Sequence, residues 1–141
     1  MFIRRYLIVV VAILFVIWPI SCEKIEEIFV DCNECISYYP PVADVTIRFT
    51  INKENSFVKF KLYRGNLECE DFIFEGITYG PEWDLRLDVN QYYTVVAEYL
   101  SDGKIINVVD GAELKVKFDK SSCDQDCYFI FGDELDARLK Y

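Results

Sequence analysis

The sequence predicts an all-β chain whose folded part is a single β-sandwich of about seven to nine short antiparallel strands. Three observations carry that expectation. Apolar and polar residues alternate with period two over one segment after another. Gly, Pro, Asn and Asp punctuate these segments about every 8–12 residues. Ten Tyr and eleven Phe stand against one Met, a composition that favours half-buried strands over helices. No long helical period interrupts the pattern, and 141 residues fit one domain rather than two. Alternation gives each sheet one wet and one buried face, and two buried faces close on each other as a sandwich.

The elements follow in order from Val42, where the domain, 42–141, is taken to begin. Val45, Ile47, Phe49 and Ile51 alternate with Thr46, Arg48, Thr50 and Asn52, which is a strand by parity. Lys53-Glu54-Asn55-Ser56 reads as a turn, and Val58, Phe60 and Leu62 alternate next with Lys59 and Lys61. Two strands around a short polar loop read as a hairpin. Phe72, Ile73, Phe74 and Ile77 mark a third strand, which stops at Gly80-Pro81. Trp83, Leu85, Leu87 and Val89 form a fourth, and Tyr93, Val95, Ala97 and Tyr99 a fifth. Ser101-Asp102-Gly103 is a hairpin turn, because Gly tolerates the positive φ such turns need. A strand over 104–109 is expected to stop at Asp110-Gly111, and another carries Leu114, Val116 and Phe118. Strands over 128–131 and 135–139, around Gly132-Asp133, close the chain. Parity points Ile47, Phe49, Phe60, Leu85, Leu87, Val95 and Ala97 inward.

Leu87 followed six residues later by Tyr93, in the run Tyr93-Thr94-Val95-Val96-Ala97, resembles a junction in fibronectin type III and related immunoglobulin-like domains. There strand E ends and strand F begins with a tyrosine whose hydroxyl closes the corner. Similar short patterns occur in prealbumin-like domains of exported proteins. The resemblance implies an immunoglobulin-like or prealbumin-like sandwich and no particular ligand.

The N-terminus has a different character. It reads MFIRRYLIVVVAILFVIWPISC, with Arg4 and Arg5 ahead of an unbroken apolar run over 7–18. A basic head, a short apolar middle and a small residue at the boundary describe a signal peptide; the run stops at Pro19, short of the about 20 residues of a spanning helix. Ser21–Cys22 then resembles the boundary in bacterial lipoproteins cut by the lipoprotein signal peptidase, although Pro19 and Ile20 differ from the residues usual there. The resemblance implies a leader over 1–21, a diacylated Cys22 as the new N-terminus, and a lipidated stalk over 22–41. The alternative is an uncleaved anchor, and both put the remainder on the exported side. Glu23, Lys24, Glu26 and Glu27 follow at once, as a solvated linker or as a sorting signal for the surface. The expected location is the outer membrane, on its periplasmic or outer side.

Charge and composition narrow the function. The net charge is −9, and removing a leader that holds two arginines and no acid leaves a more acidic domain. Such a surface repels phosphate backbones, so nucleic acid is not an expected partner. There is no histidine, which removes His-based triads, His-containing zinc sites and the usual proton shuttle near neutral pH. No catalytic constellation, cofactor or metal site is assigned. Asp119, Asp124 and Asp126 gather oxygens without the spacing of a calcium loop.

Beyond Cys22 lie Cys32, Cys35, Cys69, Cys123 and Cys127. In an exported chain, two close-spaced pairs at opposite ends are expected to form structural disulfides joining stalk to tail. The residue pattern also fits a four-thiolate zinc site or a Cys32/Cys35 redox pair, and it does not fix connectivity. Cys69, among Glu68, Glu70 and Asp71, is expected to stay a sluggish free thiol. In each of Tyr38-Tyr39 and Tyr92-Tyr93 one ring must face out, so Tyr92 is a candidate to meet a sugar or peptide. Trp83 is a second candidate, although it shares its parity with Leu85 and Leu87 and so fits the core as well. The function expected is a non-enzymatic binding or structural module of the cell envelope, one that binds a protein or glycan or forms part of an envelope assembly. The alternatives are a polymer hydrolase with paired carboxylates and a thiol oxidoreductase.

Overall fold

A computed structural model of the chain describes residues 31–69, 71–120 and 123–140. Its strands are β1 (Val42–Arg48), β2 (Val58–Arg64), β3 (Asp71–Thr78), β4 (Glu82–Asp88), β5 (Gln91–Ser101), β6 (Lys104–Asp119), β7 (Cys127–Phe131) and β8 (Glu134–Asp136). They form a three-stranded sheet in the order β4-β1-β8 and a five-stranded sheet in the order β3-β2-β5-β6-β7. β1 beside β4, and β2 beside β5 beside β6, repeat the B–E and C–F–G pairings of immunoglobulin-like sandwiches. Among the described residues no helix is long and apolar enough to cross a membrane.

Parity assigned the core correctly. Ile47, Phe49, Phe60, Leu87, Val95 and Ala97 are buried between the sheets, and Leu85 packs half-buried against them. Full burial of a large apolar side chain contributes about 1.5–3 kcal/mol. The tyrosine corner is formed: the Tyr93 hydroxyl donates to the carbonyl of Asp88 at 2.9 Å. Tyr99, buried on the same strand face, donates to the Ala137 carbonyl at 2.7 Å and accepts from the Thr50 amide at 3.0 Å. One phenol thus joins β5 to the end of β1 and to the tail.

Three expectations fail. β1 and β2 are not a hairpin, because they belong to different sheets. The segment between them is a crossing, held by Asn55, whose side chain donates to the Leu100 carbonyl and accepts from the Leu100 amide. Asp110-Gly111 does not interrupt a strand; β6 runs on through it, pairing Asp110 with Val95 and Gly111 with Thr94. Its partner β5 supplies an uninterrupted ladder from Gln91 to Ser101, and the Asp110 carboxylate accepts from the Asp136 amide at 2.6 Å. Finally, β8 pairs with β1 in parallel, where only antiparallel pairs were expected. It arrives from the other sheet through Gly132, at φ +75°, and that crossing sets its direction. A Cβ at Gly132 would run into the carbonyl of Glu113.

Two measurements follow from these contacts. Tyr99→Phe leaves the Ala137 carbonyl and the Thr50 amide without their partner, so urea unfolding should show a loss of about 1–3 kcal/mol. Asp136 gives the acid limb. Arg138 donates to both of its oxygens, at 2.7 and 3.0 Å, and holds its carboxyl down at about 2. A carboxyl depressed below its unfolded value, about 3.9, contributes stability that is complete above that value and lost as pH falls through about 2. The pair is partly solvated, which limits the effect to about 1 kcal/mol. Asp136→Asn should therefore be the less stable protein at about pH 6, and the difference should close as pH falls from about 4 to 2.

Candidate functional site

The five-stranded sheet has an outer face, and the residues on it follow from register. Outward on β2 stand Lys59, Lys61 and Tyr63, opposite Ile77, Glu75 and Phe72 of β3. On the other side the same three face Glu98, Val96 and Thr94 of β5. Beyond these lie Asn107, Val109 and Gly111 of β6. The β2 and β3 side chains among these, with Val96, Glu98 and Asn107, line an open groove of about 1340 Å³. Leu67, on the short turn Leu67–Cys69 between β2 and β3, lines both this groove and a smaller depression of about 460 Å³ that ends at Tyr92.

The face is more apolar than a solvated sheet needs. Phe72, Ile77, Val109, Leu67 and Tyr92 are all exposed on or beside it. The Tyr92 hydroxyl end lies over Gly111, where a Cβ would come within 2.6 Å of the oxygen, so a glycine is required for the ring to settle there. Polar groups are interleaved. Lys59 faces Glu98 and Lys61 faces Glu75 across neighbouring strands. Among the described residues, Lys59, Lys61, Glu75, Glu98 and Asn107 make no side-chain hydrogen bond or ion pair. Several strand cations elsewhere are engaged: Arg48 with Glu134, Arg64 with Asp88, Arg86 with Asp44 and Lys115 with Glu113. Lys117 sits over the Phe131 ring at 4.6 Å.

Of the two aromatic candidates, the structure brings Tyr92 to this face, 43% exposed, and turns Tyr93 inward. Trp83 is elsewhere, half-buried with its ring edge-on to Phe60 at 5.4 Å, and it serves packing. The carboxylates that share the groove are Glu75 and Glu98, with β2 and its two lysines between them. Sequence parity missed the groove because its residues occupy solvent-facing positions. The signal was present as exceptions, since Phe72, Ile77, Val96 and Val109 are apolar where alternation calls for polar residues.

The cysteines form a second feature, at the far end of β6. Cys32 is bonded to Cys123 and Cys35 to Cys127, with Cα separations of 5.8 and 5.2 Å. The Cys-x-x-Cys pair is therefore divided between two bridges rather than closed on itself. The compact unit runs from Asp31 to Tyr141, and 31–41 is laid along the domain. Ile36 exchanges backbone hydrogen bonds with Tyr128, whose ring meets Tyr39 and Phe118. Cys22 and the leader lie outside the described residues, as does the Cys69 side chain. Among the described residues no three His, Cys, Asp or Glu side chains are grouped to hold a metal.

No protein-family profile, characterised protein or solved structure matches the chain, so function is argued from this geometry.

The two bridges run side by side, which makes their effects unequal. With Cys35–Cys127 closed, Cys32–Cys123 adds a ring of only about nine residues, worth about 2–3 kcal/mol in the loop-entropy model, whereas the first bridge across a separation of 92 is worth about 4–5. Replacing Cys32 and Cys123 by serine should cost about 2–3 kcal/mol in chemical denaturation, and replacing all four cysteines about 7.

Proposed function

We propose that this chain is an exported, lipid-anchored binding module of the cell envelope, held to the outer membrane through Cys22 and acting by recognition rather than catalysis. The observation that carries the reading is the outer face of the five-stranded sheet: an apolar floor ringed by polar side chains with no internal partner. An exposed apolar patch rimmed by polar residues is the kind of surface that marks an interaction site.

The position of the staples supports it. The folded unit begins at Asp31, beside Cys32, and even the Tyr92 end of the face, opposite Glu113, lies six positions from the C-terminal end of β6, about 20 Å along the strand. A ligand on the groove therefore stays clear of the point where the chain enters the domain. Two bridges at that point keep the sheet from fraying there. The acidic surface acts in the same sense, because it repels anionic lipid and keeps a tethered domain off the membrane.

Anchoring is tested by processing. The mature chain should begin at a lipid-modified Cys22 in mass spectra of protein taken from membranes, and Cys22→Ser should leave the membrane fraction or accumulate as precursor. Membrane material with Met1 intact, or with Cys22 unmodified, would refute the lipoprotein reading.

A further inference from the structure

Resting on the binding role proposed above, we infer that the outer groove of the five-stranded sheet binds a neutral oligosaccharide, laid from Ile77 and Lys59 at one end to Tyr92 at the other.

The first argument is what the groove can offer. Its floor is made by β2 and β5, and each has a neighbouring strand on both sides. Their backbone donors and acceptors are committed to ladders, so recognition there belongs to side chains. An extended peptide needs partners for its own backbone groups, and it would find them along a sheet edge. The free edge on this side is β3, where the register shifts opposite Leu62 and Tyr63; a bulge of this kind discourages regular strand addition. A sugar needs no ladder. Its ring carbons present C–H groups to aromatic faces, whose quadrupole is negative, and its hydroxyls both donate and accept.

The groove holds both kinds of partner. Tyr63 and Phe72 stand together with ring centroids 5.8 Å apart, and Tyr92 rests over Gly111 at the far end. Around them Lys59 and Lys61 donate, Glu75 and Glu98 accept, and Asn107 does both. From Glu98 to Tyr92 along β5 is about 20 Å, a length for several sugar rings rather than one.

The second argument is charge. The chain carries −9; two lysines and two glutamates balance in the main groove, and Glu68 and Asp110 add acid at the Tyr92 end. An anionic polymer would be repelled by the rest of the surface and would find no net positive charge here. A cationic ligand would meet Lys59 and Lys61 in the middle of the path, on the strand between the two groove glutamates. An uncharged, hydroxyl-rich ligand meets neither obstacle.

The experiment uses the full-length protein, solubilised from membranes in detergent, in affinity electrophoresis against starch, mixed-linkage β-glucan, galactomannan and xylan, with polygalacturonate as the anionic comparison. At least one neutral polymer should retard the protein, and retardation should not change as salt rises from about 0.05 to 0.5 M, where charge attraction is screened away. Tyr92→Ala and Phe72→Ala should each weaken it about tenfold or more, as loss of an aromatic anchor does. Tyr79→Ala, exposed but outside the groove, should not. Thermal unfolding of each variant establishes that it is folded. The inference is overturned if folded wild type is retarded by none of the neutral polymers, if only polygalacturonate retards it, or if both groove variants bind as wild type does. It is also overturned if sedimentation shows a dimer that Tyr92→Ala or Phe72→Ala dissociates, since the face would then belong to a second copy. Fractionation of the same material keeps the two readings apart: a chain anchored through Cys22 that ignores every polymer loses the sugar and keeps its anchored role.

Discussion

Two tyrosine hydroxyls on β5 govern the rest of the molecule. Tyr93 is tied to Asp88 and Tyr99 to Ala137 and Thr50, and six residues separate them on the same face. Both phenols are buried, and burial raises the pKa of each, so both remain neutral donors well above neutral pH. With both bonds made, β5 cannot slide. A slip of one residue would turn Tyr92, Thr94, Val96 and Glu98 into the core and bring Tyr93, Val95, Ala97 and Tyr99 into water. β2 and β6 are registered against β5 on either side. The buried face and the outer groove are therefore two consequences of one alignment.

What was legible in the sequence follows from the same point. Period-two alternation reports burial on one face, so the strands and the inward set were readable without any structure. The corner was readable because a Leu and a Tyr six residues apart constrain a local geometry. Pairing between distant strands left no such local trace. The β1–β2 segment was taken for a hairpin because a polar loop looks the same whether the chain turns back in one sheet or crosses to another. Gly111 was taken for a turn, although its role is to leave room for a ring from the next strand. The parallel placement of β8 rests on Gly132 clearing the backbone of Glu113, and nothing adjacent in sequence announces that neighbour. The groove was hidden because alternation treats every outward position as solvent. Only the apolar exceptions hint at it, and they make a surface only once four strands are set side by side.

The staples add a mechanical side to the design. Beyond Leu114, β6 is paired with β7 and no longer with β5, and two-stranded ribbons are marginal in water. The segment 31–41 supplies the missing packing, through Ile36 against Tyr128 and through Tyr39. Cys127 is fully buried in that packing. Bridging holds in place contacts that would otherwise be lost to chain entropy, and it does so at the point where any pull on the N-terminal side would be felt first.

An exposed apolar face is ordinarily a hazard, because it invites self-association. Here the remainder of the surface opposes that outcome. Two copies approaching face to face bring two strongly acidic bodies together, and their repulsion acts over about 8–10 Å at physiological salt, before the apolar side chains can touch. An uncharged ligand feels no such barrier. The edge of the same sheet is guarded separately by the shift at Tyr63 and by Asp71 and Glu75 on β3. The same negative charge thus opposes closure of the open, apolar groove on a copy of the molecule.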